Sequence, residues 1–190
     1  MAQELNGWDT EAMNAAVDGV RQNENAGRLT WRGRVHWDGG FGLDVRTREV
    51  EQLGQGLELH FTLRGDHPPE LLGHNTGPTA IETCLAALGS CMAGTFAAQA
   101  TARGVKLKGL EIDVEGDINL NDFFGIKTVK PGLSAIKLEF RVDSDAQPSV
   151  LHEILEAARA RSPIFDTVSR PRTIDTTVTK LQAEPTAHDR

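Results

Sequence analysis

GPTAIETCLAALGSCMAGTFAAQATARG, Gly77 to Gly104, decides the fold of this 190-residue chain. It holds both cysteines, and its larger apolar residues recur at helical spacing: Ile81, Cys84, Leu88, Cys91 and Thr95, with Leu85, Met92 and Phe96 beside them. The spacing predicts one long buried helix. Gly77-Pro78 supplies a start, because a first turn tolerates the missing proline N–H, and Gly104 supplies a stop. Ala86, Ala87, Gly89, Ser90, Ala93 and Gly94 would let another backbone come close. Each mid-helix glycine costs about 0.8–1 kcal/mol against alanine, so the pair implies a packing reason.

Upstream, Asp9 to Asn23 has a helical period through Met13, Ala16, Val17 and Val20, with Asp9 or Thr10 as N-cap. From Arg28 the period becomes two, with Leu29, Trp31, Val35 and Trp37 on one side and Arg28, Arg32, Arg34 and His36 on the other. Asp38-Gly39-Gly40 reads as a hairpin turn, and Phe41 to Glu51 returns with Arg46 and Arg48. A third strand is predicted over Gly56 to Leu63, and Arg64 to Thr76 reads as an exposed loop. Downstream, period two returns through Leu107, Leu110, Ile112 and Val114, and again over Leu133 to Val142. Pro148 opens an amphipathic helix that ends at Ser162-Pro163, where one more turn follows. Thr173 to Leu181 is predicted as a last strand. The order gives an α+β fold in which a largely antiparallel sheet wraps helices. Three units are expected: a helical extension over 1–26, the main domain over 27–182 and a polar tail over 183–190.

Net charge is −7 with a pI near 5.4, which lacks the basic footprint of a nucleic-acid binder. No run of eighteen apolar residues occurs, and MAQELNGWDTEAM has neither a basic nor an apolar leader region. These features predict a cytoplasmic protein that binds neither nucleic acid nor membrane. The two cysteines are seven apart in one helix, ~10.5 Å by helical rise, too far for a disulfide within the chain.

Cys91 has two readings, a packed core residue or a reactive thiol. Reactivity would require a cation from elsewhere in the fold, and Arg28, Arg32, Arg34, Arg46 and Arg48 are the candidates. Cys84 lies on the same side, two turns earlier. His67, Glu70 and His74 match no metal-ligand spacing, and neither a metal nor a cofactor is predicted. Gly89-Ser90-Cys91-Met92-Ala93-Gly94 lacks the preceding strand of a nucleophile elbow, and Gly54-Gln55-Gly56 opens no dinucleotide-binding helix.

The run Gly-Pro-x-x-x-Glu-x-x-Leu-Ala-Ala-Leu-x-x-Cys, Gly77 to Cys91, resembles the central-helix entry of the OsmC/Ohr-like family, the osmotically inducible and organic hydroperoxide resistance proteins. Trp37-Asp38-Gly39-Gly40, Arg103-Gly104-Val105, Val114-Glu115-Gly116 and Arg161-Ser162-Pro163 extend the likeness from about Arg28 to Leu181, and the N-terminal helix resembles the extension of a longer branch. The resemblance implies an intertwined homodimer with two long helices buried between wrapping sheets. It implies that Cys91 attacks a hydroperoxide, helped by an arginine of the N-terminal hairpin that Glu82 holds, with Arg46, Arg34, Arg48 and Arg32 competing for that role. In the peroxidases a second cysteine, after the last long helix, then closes a disulfide.

This chain departs from that pattern in three places. Ser162 stands where the second cysteine falls. Glu82 precedes Cys91 by nine residues, ~180° around a regular helix, while Ile81 stands ten before. Phe41, not an arginine, follows Gly39-Gly40. Two functions are carried forward. One is a thiol peroxidase for organic hydroperoxides, recycled by an external thiol or by Cys84 of a second copy. The other is a non-catalytic dimer that binds a small hydrophobic ligand at its interface. A third reading uses the N-terminal helix as a docking arm.

Overall fold

A computed structural model describes residues 4–57, 60–126 and 131–180. The chain opens on a small hairpin, β1 (Glu4–Leu5) and β2 (Trp8–Asp9), turned by Asn6 and Gly7 at φ 53° and 77°. Helix α1 (Thr10–Gln22) follows, and the Asp9 carboxylate accepts the Glu11 and Ala12 N–H groups as N-cap. A short 3-10 turn leads into β3 (Leu29–Trp37), which pairs antiparallel with β4 (Leu43–Gln52) across the Asp38–Gly42 turn. The expected third strand is two pieces, β5 (Gln55–Leu57) and β6 (Thr62–Gly65), both paired with β4.

Helix α2 (Ala80–Ala102) begins two residues later than the Gly77-Pro78 start. Its N-cap is Thr79, whose hydroxyl accepts the Glu82 N–H at 3.1 Å, while the Glu82 carboxylate accepts the Thr79 N–H at 2.7 Å. Two orphan donors are satisfied at once, which fixes the first turn more firmly than proline alone could. After α2 come β7 (Gly109–Asp117), the single turn α3 (Leu120–Phe123), β8 (Ala135–Asp143), α4 (Pro148–Arg161) and α5 (Pro163–Ser169). β7 and β8 pair antiparallel, with Ile112 opposite Phe140 and Val114 opposite Leu138.

The core lies where α2 meets α4 and the inner face of β7–β8. Leu88, Met92, Phe96 and Ala100, four residues apart, pack with Ile154 and Ala158 of α4. Phe96 meets Phe140 with ring centroids 5.6 Å apart. The opposite face of α2, through Ala87, Ser90 and Gly94, is exposed, so the helix is buried on one side and not on all. By length and composition alone α2 could cross a membrane. Its packed face is instead the centre of this core.

The β3–β6 sheet is an arm with two unlike faces. Register places Val35, Val45 and Leu63 in one row and Arg34, Arg46 and Thr62 in the next, on opposite sides. All of β3 is exposed, with Trp31 at 70%, Val35 at 59% and Trp37 at 67%. The strand expected over Thr173 to Leu181 does not form: residues 173–180 are exposed and pair with nothing among the described residues. Alternation creates a strand only where an edge receives it, and Leu181 lies outside the described residues.

The glycine pair on α2 separates into two cases. A Cβ on Gly89 would lie 2.9 Å from Val114 Cγ2, so β7 crosses there at glycine distance, whereas Gly94 faces open space. Val114 is β-branched and mid-strand, so it yields poorly. Gly89→Ala is expected to lower stability by about 1 kcal/mol, overpacking outweighing the gain in helix propensity. Urea unfolding checks this, and a raised midpoint would contradict the close approach.

Candidate functional site

Cys91 sits on the flank of α2, roughly a quarter-turn from Met92. It is half-buried, and Cys84, two turns earlier, is exposed. The Ser162 hydroxyl donates to Cys91 Sγ at 3.1 Å. Ser162 itself is 1% exposed and holds the corner between α4 and α5. Its N–H bonds Ala158 O at 2.8 Å, its carbonyl accepts the Asp166 N–H, and its Oγ accepts the Phe165 N–H at 3.2 Å. Pro163 at the first position of α5 makes the break sharp. The hydroxyl is thus pinned by backbone on one side and turned to sulfur on the other.

The remaining site residues of the sequence reading stand apart from Cys91. Glu82 lies nine residues earlier, ~13.5 Å by helical rise, and is occupied by its capping box. The Thr79 N–H above all holds its carboxyl below the ordinary range, with a smaller contribution from the charge of His67. Arg34 and Arg46 face each other across β3–β4, both exposed, and neither has a carboxylate partner among the described residues. Two cations directly opposite are mutually unfavourable unless an anion from outside meets them. Arg32 is held by Glu49 and Glu51 at 3.5 and 2.9 Å. No arginine contacts Cys91 among the described residues.

Two residues that sequence reasoning passed over organise the approach to α2. Arg64 bridges Asp38 and Asp44, each at 3.0 Å, tying the hairpin turn to β6. Asp66, 2% exposed, corrects the reading of Arg64 to Thr76 as a wholly exposed loop. Its carboxylate accepts the N–H groups of His67, His74 and Thr76 and the Thr76 hydroxyl, at 2.8 to 3.1 Å. These donors, His67 N–H first and the Thr76 hydroxyl next, hold its carboxyl far below the ordinary range. His67 stacks on Phe41 at 4.1 Å, which gives the residue after Gly39-Gly40 a packing role. A signal for Asp66 was present in the run of turn residues on both sides of it, since aspartate commonly caps its own loop.

An open apolar depression of about 320 Å³, lined by Phe96, Phe140, Val142, Leu151, His152 and Leu155, does not include Cys91. That depression and the thiol are therefore separate features within one chain.

The model of the OsmC-like protein family matches residues 73–177, which spans α2, β7, β8, α4, α5 and both Cys91 and Ser162. The chain belongs to the OsmC-like family. No curated protein sequence matches it. Among solved structures, an OsmC-like protein from Mycoplasma pneumoniae aligns at 17% identity and TM-score 0.58, over 74% of this chain and 87% of that one. An OsmC-like protein of unknown function from Vibrio cholerae aligns at 14% and TM-score 0.50, over 73% and 92%. An organic hydroperoxide resistance protein from Legionella pneumophila aligns at 16% and TM-score 0.49, over 73% and 88%. At these identities the likeness is one of fold.

The Asp66 clamp makes the approach to α2 sensitive to acid. A carboxyl depressed in the folded state binds its proton more readily in the unfolded chain, near pH 4. Its contribution is therefore present above about pH 5 and lost as the pH falls further. Asp66→Asn is expected to be less stable than wild type at pH 7 and to lose less between pH 6 and pH 3. Urea midpoints across that range check the sign, and parallel curves would contradict it.

Proposed function

We propose that the chain is a thiol-dependent peroxidase that reduces organic hydroperoxides, with Cys91 as the attacking sulfur. The contact between Cys91 Sγ and a buried hydroxyl at 3.1 Å carries the reading. A cysteine retained only for packing needs no polar neighbour, whereas a sulfur that gains charge or oxygen does. Ile164 and Phe165, just after Ser162, are apolar and packed against the core, which suits an alkyl substrate. The two free thiols fit a reducing, cytoplasmic setting.

A homodimer is part of this proposal. Among the described residues the exposed face of α2, the bare apolar side of β3 and the cations Arg34 and Arg46 all lack partners that a second copy of the chain would supply. In that arrangement an arginine reaches Cys91 from the other copy, with Glu82 of either chain to orient it. The usual two-cysteine cycle is closed to this protein, since Ser162 cannot form a disulfide. An external thiol, or Cys84 of the second copy, would complete turnover. The lack of any arginine hydrogen-bonded to Cys91 among the described residues favours one rival reading, a dimer that binds a small hydrophobic molecule and does no chemistry.

Reduced protein exposed to near-stoichiometric cumene hydroperoxide separates the two. The peroxidase reading expects peroxide consumption and loss of one thiol per chain, both abolished in Cys91→Ser and retained in Cys84→Ser. A reduced Cys91 beside undiminished peroxide would contradict it.

A further inference from the structure

The geometry points to Ser162 as the donor that holds oxidised Cys91 as a long-lived sulfenic acid, with a small thiol from solution as the second substrate. This rests on the peroxidase reading and names the co-substrate and oxidised state of the same site.

The hydroxyl of Ser162 has one proton. One of its lone pairs is engaged by the Phe165 N–H, and the acceptor within reach of its O–H is Cys91 Sγ. Three backbone bonds at the α4–α5 corner fix it there, so alignment costs no further ordering. A pre-aimed donor favours whichever state of the sulfur carries more negative charge. In the first step the Cys91 thiolate attacks the terminal peroxide oxygen. The S–O bond forms, the O–O bond breaks, and the alkoxide leaves and takes up a proton to become the alcohol. Sulfur is oxidised by two electrons and the peroxide is reduced by two.

What removes a sulfenic acid is another thiol or a free backbone nitrogen. Cys91 lies in the middle of α2, where the neighbouring N–H groups are tied into helical bonds, so closure onto the backbone is disfavoured. The side chain in contact with the sulfur is a hydroxyl, and Cys84 of the same chain is ~10.5 Å away by helical rise. Cys91 is only partly buried, and in this proposal a small molecule reaches its sulfur from solution. A small thiol attacks it, the S–S bond forms, and the S–O bond breaks with release of water. A second molecule of the thiol then attacks the outer sulfur of that mixed disulfide, releasing the Cys91 thiol and the small-molecule disulfide. Two thiols and one hydroperoxide balance to one disulfide, one alcohol and one water.

The test follows wild type, Ser162→Ala and Ser162→Cys by intact mass and dimedone trapping after one equivalent of cumene hydroperoxide, then after glutathione. In wild type the expected product carries one added oxygen, is trapped by dimedone and passes through a mixed disulfide when glutathione is added. Ser162→Ala is expected to slow both alkylation and peroxide oxidation of Cys91 about tenfold, since a donor to a charged group is lost. Ser162→Cys keeps the side-chain size should the alanine variant not fold. It is expected to lose two hydrogens on oxidation, to escape dimedone and to form no glutathione adduct at residue 91. Unchanged Cys91 rates in Ser162→Ala, or wild type passing directly to a Cys84 disulfide, would overturn this inference alone. So would a Ser162→Cys variant that still accumulates sulfenic acid. A Cys91 that no peroxide oxidises overturns the peroxidase reading and this one with it.

Discussion

A helix apolar on every face is covered on only one by the described residues of this chain. Leu88, Met92, Phe96 and Ala100 of α2 are covered by α4 and the β7–β8 pair, and that contact is the core of the described structure. The other face is small and exposed, through Ala87, Ser90 and Gly94. In water such a surface is unfavourable at about 25 cal/mol per Å² of apolar area. The same imbalance recurs in β3, where two tryptophans and a valine lie open on one side of the sheet. In the proposed dimer these two exposed surfaces are the ones a second copy would cover.

That imbalance also explains why the site looks half-built. Within one chain the packing of α2 on α4 and α5 brings Cys91 to Ser162. The basic hairpin is held elsewhere, through the Arg64 bridges and the Asp66 clamp at the entry to α2. Thiol chemistry at neutral pH calls for a cation near the sulfur, and Arg34 and Arg46 stand exposed on the hairpin with no carboxylate partner among the described residues. In the proposed dimer the uncovered helix face and the uncompensated charges are two sides of one missing contact.

Much of this was legible in the sequence. Period and caps located α1, β3, β4, β7, β8 and α4, because each has one buried face that writes itself into the residue pattern. Ser162 could be singled out from the motif around it, but its hydroxyl contact could not, since that depends on how α4 turns into α5. What stayed hidden depends on tertiary partners. Asn6-Gly7 is a strong two-residue turn signal, yet its purpose appears only when Asn6 is seen bonding Thr101, Val105 and Leu107 about a hundred residues away. Alternation over Thr173 to Leu181 suggested a strand for which the described chain offers no edge. The all-round apolarity of α2 suggested full burial, which the described residues of one chain do not provide.

The most direct measurement is sedimentation velocity of the reduced protein, wild type and Gly94→Leu, with the alkylation rate of Cys91 read on each species. Leucine at Gly94 enters open space in the single chain but obstructs anything seated on that face of α2. A wild-type dimer, and a folded monomeric variant whose Cys91 reacts at least tenfold more slowly, are the results this account expects. A wild-type monomer, or a dissociated variant in which Cys91 reacts as before, would contradict it.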